Sequence, residues 1–61
     1  MKQGEIYKIN CKAGAISYDI GIFINKIDST EWMMFLVDGD LKSYSRWSYA
    51  FTPLSDLYAN W

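Results

Sequence analysis

Histidine is absent from this 61-residue chain, proline and cysteine occur once each, and lysine plus arginine number only six. Without histidine, His/Cys zinc sites are excluded and the commonest general base is missing. Cys11 has no second cysteine to pair with. Lys12 beside it would lower a thiol pKa, but no base completes a nucleophilic pair, so a structural cysteine is the simpler reading. The longest apolar run, Trp32–Val37, is six residues and too short to cross a bilayer. The opening Met1-Lys2-Gln3-Gly4-Glu5 lacks the apolar core of a signal peptide. The expectation is a soluble, cytoplasmic, non-enzymatic protein with no metal, no cofactor and no membrane contact.

Charge is also scarce, with a net of −1 and a pI near 5.0. Residues 1–26 hold four lysines against Glu5 and Asp19, and residues 27–61 hold Lys42 and Arg46 against five carboxylates. The halves are therefore +2 and −3, and no basic patch of the kind nucleic-acid binders carry is visible in the linear order. Folding could still gather Lys8, Lys12, Lys26 and Lys42 on one face. A chain this short forms one domain, residues 1–61, near the lower limit for folding without metal or disulfide. It is marginal, and a partner or self-association would help it.

What the chain does contain is aromatic residues: eight of its eleven lie from Trp32 onward. Residues 4–11 alternate Tyr7 and Ile9 against Ile6 and Lys8 and read as a first strand. Residues 12–19, with Gly14, read as a loop or irregular arm. Residues 20–27 set Ile20, Ile22 and Ile24 against Gly21, Phe23 and Asn25 in a β-branched strand. Residues 28–31 are turn chemistry. Trp32–Val37 is the most apolar strand and is expected to be central. Asp38-Gly39 is a strong hairpin signal, because glycine supplies the positive φ that tight turns need. Residues 41–51 read as one returning strand, with Leu41, Trp47, Tyr49 and Phe51 opposite Lys42, Tyr44, Arg46 and Ala50. A helix through Tyr44, Trp47, Phe51, Leu54 and Tyr58 would put Pro53 mid-helix at a cost of ~3 kcal/mol, so strand is preferred up to Phe51. Thr52 as N-cap and Pro53 at the first helical position then suit a helical turn over Leu54–Tyr58.

Four or five short strands closed by one helical turn predict an all-β fold, a small, partly open five-stranded barrel of the SH3-like kind. The order Gly4-Glu5-Ile6, Gly21-Ile22, Trp32 to Asp38-Gly39 and a closing aromatic strand resembles small SH3-like barrel proteins, in particular the uncharacterised short proteins of tailed bacteriophages. That resemblance implies a setting in a host bacterial cytoplasm or a virion more than an activity. Ala15-Ile16-Ser17-Tyr18-Asp19 is similar to the Ala-Leu-Tyr-Asp-Tyr motif of eukaryotic SH3 domains, but that family's Trp-Trp pair and Pro-Ser-Asn-Tyr pattern are absent. Barrels of the KOW type share the Gly4-Glu5-Ile6 step and are usually basic, which this chain is not.

Asp38 and Asp40 flank Gly39 and could hold a hard cation, yet the hairpin uses them for backbone reasons alone. Trp32, Phe35 or Met34, Trp47, Phe51 and Leu54 can fill a small core. That leaves Tyr18, Tyr44, Tyr49, Tyr58 and Trp61 as candidates for exposure. Tyr, Trp and Arg are what binding hot spots use, and Tyr44 with Arg46 share one strand face. Met33 and Met34 must point to opposite faces. An outward methionine suits an adaptable contact or a subunit interface. The expected function is a non-catalytic protein-interaction module, an accessory factor for a host or virion protein, with Tyr44, Arg46, Trp47, Tyr49 and Met33 as the contact surface. The alternative is single-stranded nucleic-acid binding by aromatic stacking and lysines, against which the acidic pI weighs. An aromatic cage for a cation is a third reading.

Overall fold

The computed structural model describes residues 1–14 and 16–58, the last without its side chain. Its strands are β1 (Ile6–Cys11), β2 (Tyr18–Lys26), β3 (Trp32–Val37), β4 (Asp40–Ser45) and β5 (Tyr49–Pro53), followed by the short helix α1 (Leu54–Tyr58). All neighbours are antiparallel in one sheet of order β4-β3-β2-β1-β5. The all-β expectation holds. The sheet does not close, because β4 and β5 remain its two edges.

Chain length nevertheless forces strong curvature. Five flat strands would put the edge strands about 19 Å apart at ~4.8 Å per spacing. Yet β4 and β5 are joined by residues 46–48 alone, and the step from Ser45 to Tyr49 spans at most about 14 Å. The sheet must curl so that its edges approach, and the curl wraps one face around a core.

The single returning strand expected over residues 41–51 is corrected to two strands with a turn between them. In that turn the Ser48 N–H donates to the Ser45 carbonyl at 3.1 Å, and the Trp47 N–H donates to Ser45 Oγ at 3.2 Å. Three non-strand residues reset the alternation, so Tyr44 and Tyr49 both face inward, with ring centroids 5.1 Å apart. The physical driver is distant in sequence: β5 finds its partner in β1, with Phe51 opposite Ile9 and Tyr49 opposite Cys11. The Asp38-Gly39 hairpin forms as expected, with φ of 52° and 82° at its two central residues, the all-positive pair that matches strand twist. Trp32–Val37 lies between β4 and β2, and β2 is the middle strand of the five. β2 begins at Tyr18, two residues earlier than the expected strand, and Pro53 ends β5 opposite Tyr7 before the helix starts at Leu54. Ala15 and the tail residues 59–61 lie outside the described residues.

The inner face buries Tyr7, Ile9, Phe23, Met33, Phe35, Val37 and Tyr44, with Tyr49 and Phe51 packed against them. Phe35 is fully buried and sits edge-on to Tyr7, Phe23 and Tyr44 while stacking on Phe51 at 5.1 Å. Trp32 and Trp47, expected to fill the core, do not: Trp32 is half-exposed and Trp47 is 74% exposed. Trp32 pairs with Ser45 one step out of phase with Met33 and Phe35, which puts it on the outer face.

Gly21 lets β1 and β3 close over β2. A Cβ there would lie 2.8 Å from Val37 Cγ2 and 3.1 Å from Phe35 Cβ, and the second of these atoms cannot rotate away. Gly21→Ala is therefore expected to destabilise the domain by about 1–3 kcal/mol through overpacking. A urea midpoint equal to or above that of the parent chain would contradict this account.

Candidate functional site

The end of β2 is where the regular alternation breaks. Phe23 pairs with Phe35, but Asn25 pairs with Met34 and Lys26 with Met33, so one extra residue bulges between them. A bulge reverses strand parity. Lys26 consequently shares the inner side with Met33, whereas unbroken alternation would have sent it outward with Ile22.

A cavity of about 520 Å³ opens at this end of the inner face. Phe23, Met33 and Phe51 form its apolar floor, and the exposed Lys26 and Arg46 stand at its mouth with Asn25, Gln3 and Met1. The N-terminal segment is fixed there by two backbone bonds at 2.9 Å, Gly4 N–H to the Phe23 carbonyl and Phe23 N–H to the Glu5 carbonyl. The volume falls within the ~300–1,000 Å³ typical of ligand pockets.

Arg46 is held by its backbone rather than by burial. Its N–H donates to the Glu31 carbonyl at 2.9 Å, and its own carbonyl accepts from Lys12 Nζ at 2.9 Å. Its Nη1 lies 3.3 Å from Glu31 Oε2, an ion pair not aligned as a hydrogen bond, so that shielded oxygen has a cation beside it but no donor. Both side chains are more than a third exposed, so the pair contributes little stability. Lys26 has no ion pair among the described residues. The mouth therefore carries a net positive charge above an aromatic and thioether floor, in a chain that is acidic overall.

The five residues expected to form a contact surface are split by the fold. Met33 and Arg46 line the cavity, one as floor and one at the mouth. Trp47 is exposed in the turn beside Arg46. Tyr44 is 6% exposed and Tyr49 half-buried, so the expected shared face of Tyr44 and Arg46 does not exist. Of the two methionines, the inward one is Met33 and the partly exposed one Met34. Tyr18 is exposed as expected, while the Tyr58 side chain and Trp61 lie outside the described residues. Sequence reasoning missed Phe23 and Lys26. No residue type announces the bulge that aims Lys26, whereas Phe23 was visible as an aromatic in phase with Gly21.

The other proposed chemistries lose their geometry. Lys8 projects outward with its Nζ 4.5 Å from the Tyr18 ring centroid, while Lys26 faces inward, so the lysines do not gather on one face. The inward tyrosines and phenylalanines pack on each other, edge to face except where Phe51 stacks on Phe35, and form no open cage among the described residues. The chain matches no protein-family model, no characterised protein and no solved structure.

Tyr44 has a structural role instead. Its hydroxyl donates to Asp19 Oδ2 at 2.7 Å, tying β4 to the start of β2 over the edge of the core. Burial, then this bond to a carboxylate, pushes its phenol pKa up from 10.0, and burial does the same for Tyr7, whose hydroxyl donates to Glu5. A raised acid pKa means that the unfolded chain releases these protons first. Stability is thus unaffected below about pH 10 and falls as pH rises beyond it. Tyr44→Phe is expected to lower stability by about 1 kcal/mol at neutral pH and to flatten the alkaline decline. Urea midpoints followed from about pH 8 to 12 test both parts, and an unchanged alkaline slope in the variant would refute the assignment.

Proposed function

We propose that this chain is a non-catalytic protein-interaction module that takes an apolar side chain of an acidic peptide segment into the cavity between β2, β3, β5 and the 46–48 turn. The observation that carries the reading is the pairing of an apolar floor, Phe23, Met33 and Phe51, with two cations at the mouth, Lys26 and Arg46. An apolar floor favours large side chains without choosing strongly among them. Charge at the rim selects sign and speeds encounter. Lys26 is uncompensated among the described residues, so an acidic residue flanking the inserted side chain gains a partner. Trp47, exposed beside Arg46, offers further contact area at the margin.

An SH3-like kinship belongs to the same proposal, as does a role as an accessory factor in a phage-infected bacterial cytoplasm. The curled sheet with β5 laid beside β1 agrees with the first. Nucleic-acid binding gains nothing from the geometry, because the lysines are dispersed over both faces.

The test is titration of ¹⁵N-labelled protein with acetyl-Glu-Leu-Glu-Phe-amide, and with its lysine counterpart acetyl-Lys-Leu-Lys-Phe-amide. The acidic peptide is expected to shift the amide signals of Lys26, Arg46 and Phe51 more strongly than the basic one. Lys26→Glu should weaken that binding about five- to tenfold, since an exposed pair is worth ~1 kcal/mol or less and reversal replaces attraction with repulsion. Equal responses to both peptides, or responses confined to the outer face of the sheet, would sink the proposal.

A further inference from the structure

The inner face and its cavity leave the opposite face of the sheet unexplained. Register alone draws an apolar row across it: Leu41 is paired with Leu36, Leu36 with Ile22, and Ile22 with Ile6, so four strands contribute one residue each. Ile20, Ile24, Trp32 and the partly exposed Met34 flank that row on the same strands. Leu36 and Met34 are half-buried, and the exposure of the others runs from 37% at Ile22 and Ile24 to 63% at Leu41. α1 packs at the β5 and β1 end of the sheet.

We infer that this outer face is the interface of a homodimer, the same apolar row of two copies packed face to face. Size is the first argument. The exposed parts of these side chains amount to on the order of 600 Å² per copy, at the top of the range for the largest patch on a monomer. Covered completely in both copies it would total roughly 1,200 Å², the lower edge of specific interfaces, and the convex curl of this face keeps the contact below that, so the dimer is a weak, concentration-dependent one. Charge is the second. The register positions of this face hold no carboxylate, and Lys8 at one end has its Nζ over the Tyr18 ring. The row itself, Leu41, Leu36, Ile22 and Ile6, carries no charge, so it can meet its own image with no like-charge contact along its length, whereas it offers a charged foreign partner nothing to select. Preorganisation is the third. Strand isoleucines have few rotamers to lose, so little ordering opposes a sheet-on-sheet contact. A 61-residue domain near the limit of independent stability gains from such a cover. The interface is isologous, and it leaves both inner cavities open on the far sides of the dimer. It stands independently of the peptide reading.

Sedimentation equilibrium of the full chain from about 1 µM to 1 mM tests it. The mass is expected to rise from that of one chain to that of two and stop there. Leu41→Glu sits at the exposed end of the row beside the hairpin and should fold normally. It is expected to raise the dissociation constant at least about tenfold, and Ile20→Glu should act likewise. Lys26→Glu, on the inner face, should leave the constant unchanged. A chain still monomeric at about 1 mM overturns the inference. So does a dimer unaffected by Leu41→Glu, or a mass that climbs past two copies, which would point to open-ended pairing of the β4 or β5 edges. Because the peptide titration reads the inner face, failure of either result leaves the other interpretable.

Discussion

Phe35 is the point on which the structure turns. It is fully buried, and four of the other aromatic rings pack directly on it, from β1, β2, β4 and β5. Among the described residues, no other side chain is in ring contact with every other strand of the sheet. Curvature follows from that convergence. The rings of Tyr44 and Phe51 come from opposite edges of the sheet and both reach Phe35, which is possible only if the sheet curls around it. The three-residue turn at 46–48 enforces the same closeness from the backbone side. Gly21 removes the one side chain that would keep Phe35 and Val37 away from β2 and β1.

The cavity is a by-product of this arrangement. Because the sheet curls without closing, the inner face stays open at one end, where Phe23, Met33 and Phe51 run out of core to fill. Two local irregularities then decorate the opening with charge. The bulge before Asn25 turns Lys26 inward, and the 46–48 turn presents Arg46 with its backbone pinned to Glu31 and Lys12. Departures from regular pairing are thus what give an acidic chain a cationic mouth. The outer face has the opposite character, an apolar row across four strands with Lys8 at one end, and its chemistry suits a sheet-on-sheet contact instead.

Legibility in the sequence divided along the same line. The shared face of Tyr7 and Ile9, the turn at residues 28–31, the Asp38-Gly39 hairpin and the helical turn at Leu54 can all be read beforehand. Each rests on period-two alternation or on turn residues a few positions apart. Ser45 to Ser48 gave no such signal, having neither glycine nor proline. The alternation was therefore carried through it, which placed Tyr44 outside and Trp47 inside. The site suffered most from that error, because parity decides which face a side chain occupies. Met33, expected as an outward methionine, and Arg46, expected on the face of a returning strand, meet instead as floor and mouth of a cavity. Trp32 and Trp47, expected in the core, stay outside because burial follows strand phase, and the 46–48 turn and the pairing of Trp32 with Ser45 set that phase.

The amino-acid sequence by itself determined the class of the fold, the shared face of Tyr7 and Ile9 on β1, the hairpin, and the lack of histidine-based chemistry. These follow from composition and from backbone preferences that act over a few residues. Only the tertiary structure decided that β5 joins β1, that Lys26 faces inward, and that the isoleucines of β2 share an open outer face with Trp32 and Leu41. Those outcomes depend on which strands meet and in what register. That is settled by the packing of distant aromatic rings around Phe35, an interaction no short window of residues can express.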